Sequence, residues 1–341
     1  MRVFRRTIEA WYGLWVLMLL VLSCSNPFSV QQDYPRSYHK GMNVFFMSHR
    51  NAFKPADFKS NIAEIESTGV THVYLIPYFF SPDESSDTIF PTEETINHAD
   101  LDHAIRICLE SGLTPILKPH IDLLNKTPRF NISPSDGKSW KRNYLDFIDP
   151  YLQLSEQYAL SCFVIATELD NVVNASWFEE IIAHARRAYS GELIYAASFD
   201  HFLECEIWDK VDKIGINAYY NLSNSDRDCT MAALSESWNH YLQVITDFSI
   251  LKGKAVILTE VGYCSKQGSS INPGNWHAGT DISPQHQAHA YEALLMQAAR
   301  FDRIKGIYWW QWELNGVGGM DNIDYTPKNK PAEDILRNYW N

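Results

Sequence analysis

The sequence predicts an α/β protein built as a (β/α)8 TIM barrel, a single domain. Three observations predict it. Eight short apolar runs alternate with amphipathic stretches along the chain. The runs are rich in β-branched and aromatic residues, the composition of strands buried on both faces. The repeat fills about 300 residues, enough for a closed barrel of eight strand–helix units. An open doubly wound sheet is the alternative, but no G-x-G-x-x-G follows the first run and there is no P-loop.

Residues 1–23 read as a leader outside the fold. Arg2, Arg5 and Arg6 give a basic start, and Gly13–Leu22 is an apolar run of ten residues. That length suits a signal peptide and is short for a bilayer span. The run ends in Val21-Leu22-Ser23-Cys24, which resembles a bacterial lipobox with Cys24 as the lipidated residue. Ser25 rather than Asp follows, which by the same resemblance favours the outer membrane. The expectation is a lipid-anchored protein of the bacterial cell envelope. Residues 24–39 are polar and aperiodic and read as a tether; residues 40–341 make the barrel domain.

The strand expectations, in order, are Met42–Met47, His72–Phe79, Thr114–His120, Cys162–Glu168, Leu193–Ser198, Lys213–Tyr219, Lys254–Glu260 and Ile304–Trp310. The helix expectations fill the gaps. Ala56–Ser67 sets Phe58, Ile62 and Ile65 at helical spacing, and Leu101–Leu109 does the same for Leu101, Ala104, Ile105 and Cys108 before a Ser111-Gly112 stop. Trp140–Ala159, Trp177–Tyr189, Met231–Leu251, Pro284–Phe301 and Ala332–Trp340 complete the series.

A barrel of this kind holds its chemistry at the carboxyl ends of its strands. The first run ends near Phe45, Phe46, Ser48 and His49, and the third in Lys118-Pro119-His120-Ile121-Asp122. The sixth ends in Asn217-Ala218-Tyr219-Tyr220, and the eighth in Trp309-Trp310-Gln311-Trp312. The fourth and seventh end in carboxylates, Glu168 and Glu260. An apolar strand that finishes in a charge must place it in water or in a site. Two such carboxylates across one barrel mouth suit glycoside hydrolysis, with one as proton donor and the other as attacking group. Taken singly, each also suits a structural ion pair.

The strand-end segments together resemble clan A glycoside hydrolases, and within that clan family 113, whose known members are chiefly β-mannanases. The matching segments are Lys40–Asn43, Leu117–Asp122, Ile165–Leu169, Ile214–Tyr220, Leu258–Tyr263 and Gly306–Trp312. The resemblance implies a retaining enzyme in which Glu168 is the acid/base and Glu260 the nucleophile. It implies that Trp310 forms the floor under the reacting sugar, so that Trp309 faces the helices. Most of the clan has Asn before the acid/base; here Thr167 stands there, and family 113 also tends to lack that Asn.

The 2-hydroxyl partner therefore stays open, with Asn217 and His120 as candidates. The Tyr219 hydroxyl is a candidate donor to the nucleophile. Lys118, the odd residue in its strand, either tunes both carboxylates or satisfies a charge at the barrel bottom. Trp312 and Trp276 are expected on loops above the barrel, lining outer sugar subsites or packing on the surface.

The remaining patterns carry less chemistry. His98-Ala-Asp100-Leu-Asp102-His103 looks metal-like but opens a helix, where acidic residues complement the dipole. His286 and His289, three apart, read as a helix surface, and Ser198 lacks a nucleophile elbow. Phe80–Thr95 is an acidic, Ser/Thr-rich loop of the kind that shapes access to a barrel mouth. The six cysteines show neither C-x-x-C nor zinc spacing; with Cys24 lipidated at least one thiol is unpaired, and Cys162 reads as core.

Composition narrows the function. The formal charge of −12, moving to −14 once residues 1–23 and their three Arg and one Glu are removed, opposes nucleic-acid and polyanion binding. A neutral glycan fits better, and the 11 Trp and 18 Tyr include side chains able to stack on one. The leading expectation is cleavage of a β-linked mannan or manno-oligosaccharide without cofactor or metal. The same mechanism on a β-glucan or β-glucosaminide, and a non-catalytic glycan-binding lipoprotein, are the alternatives; the intact pair Glu168 and Glu260 counts against the last.

Overall fold

The computed structural model describes residues 34–46, 53–225, 229–277, 279, 281–314 and 316–341. The leader, Cys24 and the pair Ser48 and His49 lie outside the described residues. The strands are β1 (His39–Phe45), β2 (His72–Ile76), β3 (Tyr78–Ser81), β4 (Thr114–Leu117), β5 (His120–Leu123), β6 (Cys162–Thr167), β7 (Glu192–Ser198), β8 (Lys213–Asn217), β9 (Val256–Val261) and β10 (Ile304–Trp312). The helices are α1 (Pro55–Glu66), α2 (His98–Glu110), α3 (Gly137–Gln157), α4 (Ser176–Ala188), α5 (Met231–Lys252), α6 (Pro284–Ala298) and α7 (Pro331–Trp340).

Eight parallel strands close into a barrel in the order β1-β10-β9-β8-β7-β6-β4-β2. It is the (β/α)8 architecture that the alternating pattern predicts. Each barrel strand is followed by an α-helix except β7, where only the 3-10 turn Ile207–Asp209 intervenes before β8. The second and third predicted strands each divide in two. Pro77 follows β2 and Pro119 precedes β5, and neither has an N–H for the ladder. Beyond these breaks, β3 and β5 pair in parallel as a separate two-stranded sheet, with Tyr78 opposite His120.

The core has two layers. Inside the barrel, Tyr74 and Tyr308 stack at 3.7 Å among Ile76, Ile116, Val164 and Ile257. Gly41 makes room for them, since a Cβ there would lie 2.3 Å from the Tyr308 ring. Outside, the strands meet helix stripes such as Phe178, Ile181, Ile182 and Ala185 of α4, spaced three and four apart. Cys162 is buried in the inner layer, and the five cysteines among the described residues are free thiols.

The barrel begins slightly earlier than expected. Tyr38 is buried and Tyr34 donates to Leu295 O at 2.9 Å, so the end of the predicted tether packs on the barrel. The metal-like stretch at His98 opens α2, and Asn97 caps it by accepting from Asp100 N at 3.0 Å. His286 departs from its surface assignment. It is buried in the first turn of α6, with Nε2 3.1 Å from Ser270 Oγ.

Trp312 also departs from expectation. It is fully buried inside β10 rather than on a loop, donating from Nε1 to Asn61 Oδ1 of α1 at 3.1 Å. The register explains it. Met42 pairs with Trp309 and Val44 with Trp312, so two steps on β1 match three on β10. That bulge breaks the alternation that sets Trp310 and Trp312 on one side. The peptide between Trp310 and Gln311 is cis. Trp309 faces the helices as expected, stacked on Tyr291 of α6 at 3.6 Å.

Candidate active site

The barrel mouth holds a cavity of about 550 Å³ whose lining includes Glu168, Glu260, Tyr219, Arg129, Trp310 and Trp276. Each of the six comes from a strand end or the loop beyond it.

Glu260 lies within β9 and is only 4% exposed. Both of its oxygens are held. The Lys118 ammonium donates to Oε1, and the Tyr219 hydroxyl donates to Oε2 at 2.8 Å. Lys118 sits where β4 and β5 part, fully buried. Burial pushes its ammonium pKa down, while the Glu260 and Glu168 charges oppose that shift. Burial and the Glu260 charge push the Tyr219 phenol well up, so it stays a donor. Two donors on two oxygens suit a carboxylate.

Glu168 follows β6 directly, with φ of 50°. A left-handed backbone at a non-glycine residue costs on the order of 1–3 kcal/mol and persists where the surroundings hold it. Its own N–H still donates to Ala196 O at 2.8 Å, continuing the ladder. Asn217 Nδ2 donates to Glu168 Oε1 at 2.9 Å, and Thr259 Oγ1 donates to Asn217 Oδ1 at 2.8 Å. Thus β8 and β9 together position the carboxyl on β6. Its pKa is pushed up to about 7, first by burial and then by the Glu260 charge, against Arg129, Asn217 and Lys118.

His120 and Asp122 share one face of β5, two residues apart. Arg129 returns across that face. Its Nη2 contacts Asp122 Oδ1 at 2.5 Å, and its Nη1 donates to His120 Nδ1 at 2.9 Å. Nη1 is also 3.8 Å from Glu168 Oε2. Arginine only donates, so His120 Nδ1 accepts and the neutral ring carries its proton on Nε2. Burial, then Arg129 and Lys118, hold the ring well below the usual imidazole pKa. Nε2 lies 3.7 Å from Glu260 Oε1 and makes no hydrogen bond among the described residues.

Trp310 is half-buried on the cavity floor, edge-on to Phe45 and parallel to the His120 ring at 6.2 Å. Gly262 lets its backbone in: a Cβ there would lie 2.6 Å from Trp310 O. Trp276 is 58% exposed on the loop after β9, and its carbonyl accepts from Lys266 Nζ at 2.9 Å. Ser198 donates to Asp170 rather than to a histidine.

The structure thus gathers Glu168, Glu260, Tyr219, Asn217, His120, Lys118 and Trp310, and leaves Trp312 outside. Arg129 was missed by sequence reasoning; Tyr78, whose hydroxyl is 3.1 Å from His120 Nδ1, was marked only as the end of the second strand and given no role. An isolated Arg in a Pro-flanked turn carries no periodic signal. The partner of Tyr78 is legible only once the pairing of β3 with β5 is known.

An eight-stranded parallel barrel with glutamates at its fourth and seventh strand ends has the frame of a clan A glycoside hydrolase. The model of glycoside hydrolase family 113 matches residues 42–330. The chain belongs to that family, and the protein is a glycoside hydrolase. Among solved structures it is similar to a family 113 β-1,4-mannanase, with a TM-score of 0.81 and 22% identity over 89% of this chain and 98% of that one. A family 113 β-mannanase from Alicyclobacillus acidocaldarius in complex with ManMIm gives 0.80 and 19% over 88% and 96%. A β-glucuronidase from Ruminococcus gnavus in complex with D-glucuronic acid gives 0.60 and 12% over 89% of this chain and 49% of that one. At these identities the likeness is one of fold. No curated protein sequence matches the chain significantly.

Proposed function

We propose that the protein is a retaining glycoside hydrolase acting on β-linked mannan or manno-oligosaccharides, with Glu168 as acid/base and Glu260 as nucleophile. One observation carries this reading: the two carboxyls in one cavity have opposite surroundings. Glu168 is pushed up to about 7 and so holds a proton near neutrality, whereas Glu260 receives two donors. Paired groups whose environments diverge in this way divide into acid and base roles.

In the first step the Glu168 proton passes to the glycosidic oxygen as that bond breaks, and Glu260 bonds to the anomeric carbon. In the second step Glu168, now a carboxylate, takes a proton from water, and the water oxygen displaces Glu260. Lys118 and Tyr219 hold the Glu260 oxygens through both steps. Trp310 offers an apolar face to the sugar C–H groups. Mannan is favoured by the β-mannanases among the structural neighbours and by the acidic chain, which suits a neutral glycan. The leader supports export and anchoring through Cys24 at the bacterial envelope.

The test is a glycan panel (β-mannan, glucomannan, β-glucan, chito-oligosaccharides) with chromatographic product analysis. Products from mannan that vanish in Glu168→Gln and Glu260→Gln variants are expected. Cleavage confined to another glycan, or undiminished in the variants, overturns the assignment.

A further inference from the structure

The Arg129 guanidinium is the cation on the loop beyond β5 that reaches the acid/base. At 3.8 Å its contact with Glu168 is longer than a hydrogen bond. The fork is occupied elsewhere: Nη2 on Asp122, Nη1 on His120 Nδ1 at 2.9 Å. Both acceptors stand on one face of β5, and together they hold the guanidinium toward that strand and short of hydrogen-bond distance from Glu168.

A two-bonded pair of Arg129 with Glu168 would be unproductive, because a close guanidinium favours the ionised carboxylate and the first step needs the acid protonated. We propose that Asp122 is a positioning residue: by anchoring Arg129 on the β5 face it keeps the guanidinium off the acid/base, and so sets the upper pH limit of turnover.

The surrounding charges agree. Glu168 is faced by Glu260 from β9, Lys118 from the β4–β5 break, Arg129 from the loop, the neutral amide of Asn217 from β8, and the uncharged phenols of Tyr195 on β7 and Tyr219 beyond β8. Arg129 is faced by Asp122 and neutral His120 from β5, Tyr78 from β3, the two glutamates, and the Lys118 ammonium from the β4–β5 break. Asp122 is the acidic partner at hydrogen-bond distance from Arg129. The buried phenol of Tyr78, pushed well up by its surroundings, brings no charge. Asp122→Asn keeps the shape and a neutral acceptor but removes the charge that competes with Glu168 for the guanidinium.

The kinetic arm rests on the proposed glycosidase activity; a titration arm does not. In protein labelled with 13C at glutamate side-chain carboxyls, the Glu168 signal, assigned by its loss in Glu168→Gln, is titrated by NMR. In Asp122→Asn its midpoint is expected to fall by about one pH unit. The alkaline limb of kcat/KM should move down by the same amount. Arg129→Met should move both upward, and adding Asp122→Asn to Arg129→Met should shift them by less than about 0.3 unit further. An unmoved midpoint in Asp122→Asn overturns the proposal, and so does an equal shift with and without Arg129. If the midpoints move as stated but no glycan is cleaved by the parent, the activity assignment fails and this one stands.

Discussion

Replacing Lys118 by Met tests how Glu260 is held. The side chains are similar in length, so the change removes a charge and leaves little void. Lys118 is fully buried and Glu260 is 4% exposed, so little water can take over the lost contact. Stripping one partner from a buried ion pair costs about 3–5 kcal/mol, because the other charge is left uncompensated. Here the lower end applies. Tyr219 still donates to Oε2 at 2.8 Å, and His120 Nε2, 3.7 Å from Oε1 and without a hydrogen bond, needs only a small shift to donate. The expected loss is therefore about 3 kcal/mol. Adding Glu260→Gln removes the stranded charge and should recover about 2 kcal/mol of it. Urea unfolding of the parent, both single variants and the double variant gives this coupling directly. A Lys118→Met cost below about 1 kcal/mol, or a double variant no more stable than Lys118→Met, would refute the buried-pair reasoning.

Four further outcomes are expected. Activity should decline above about pH 7, because Glu168 is pushed up to about 7 and must be protonated to act; a profile still rising at pH 9 contradicts this. Gly262→Ala should raise KM several-fold while leaving the protein folded, since its Cβ would displace Trp310 O, now 2.6 Å from that position; an unchanged KM shows that Trp310 does not carry sugar. Burial and its neighbours His72 and Lys213 lower His39 to about 3, and His72 is likewise lowered to about 4. Their stabilisation is complete above the unfolded value near 6.5 and is lost as pH falls through those folded values. For His39 this amounts to at most about 5 kcal/mol. Stability measured from pH 7 to 3 should fall, and His39→Gln should flatten the curve; an equally steep variant contradicts the sign. Labelled palmitate should enter the protein in a bacterial host and fail to enter Cys24→Ala; equal label in both removes the anchoring proposal.

The fold was legible because a strand buried on both faces has a composition of its own. Runs such as Cys162–Thr167 and Val256–Val261 are wholly buried, so nearly every position selects for apolar residues. Glu168 and Glu260 stood out against that background. What the sequence hid was pairing. The breaks at Pro77 and Pro119 were visible as prolines, but the small β3–β5 sheet that aims Tyr78 and His120 depends on contacts between chain segments. Trp312 was misplaced because a bulge is a relation between two strands, here β1 and β10, and leaves no mark on either alone. Arg129 meets Asp122, His120 and Glu168, which lie seven, nine and thirty-nine residues away in the chain.

The stereochemistry of the first product tests the central claim most directly. Proton NMR during the opening minutes of hydrolysis of a β-linked manno-oligosaccharide resolves the new reducing end before it mutarotates. The account predicts that the β-anomer appears first, because Glu260 displaces on one face and water on the other. Initial appearance of the α-anomer would contradict it, since that outcome requires water to attack directly and leaves Glu260 with no covalent role.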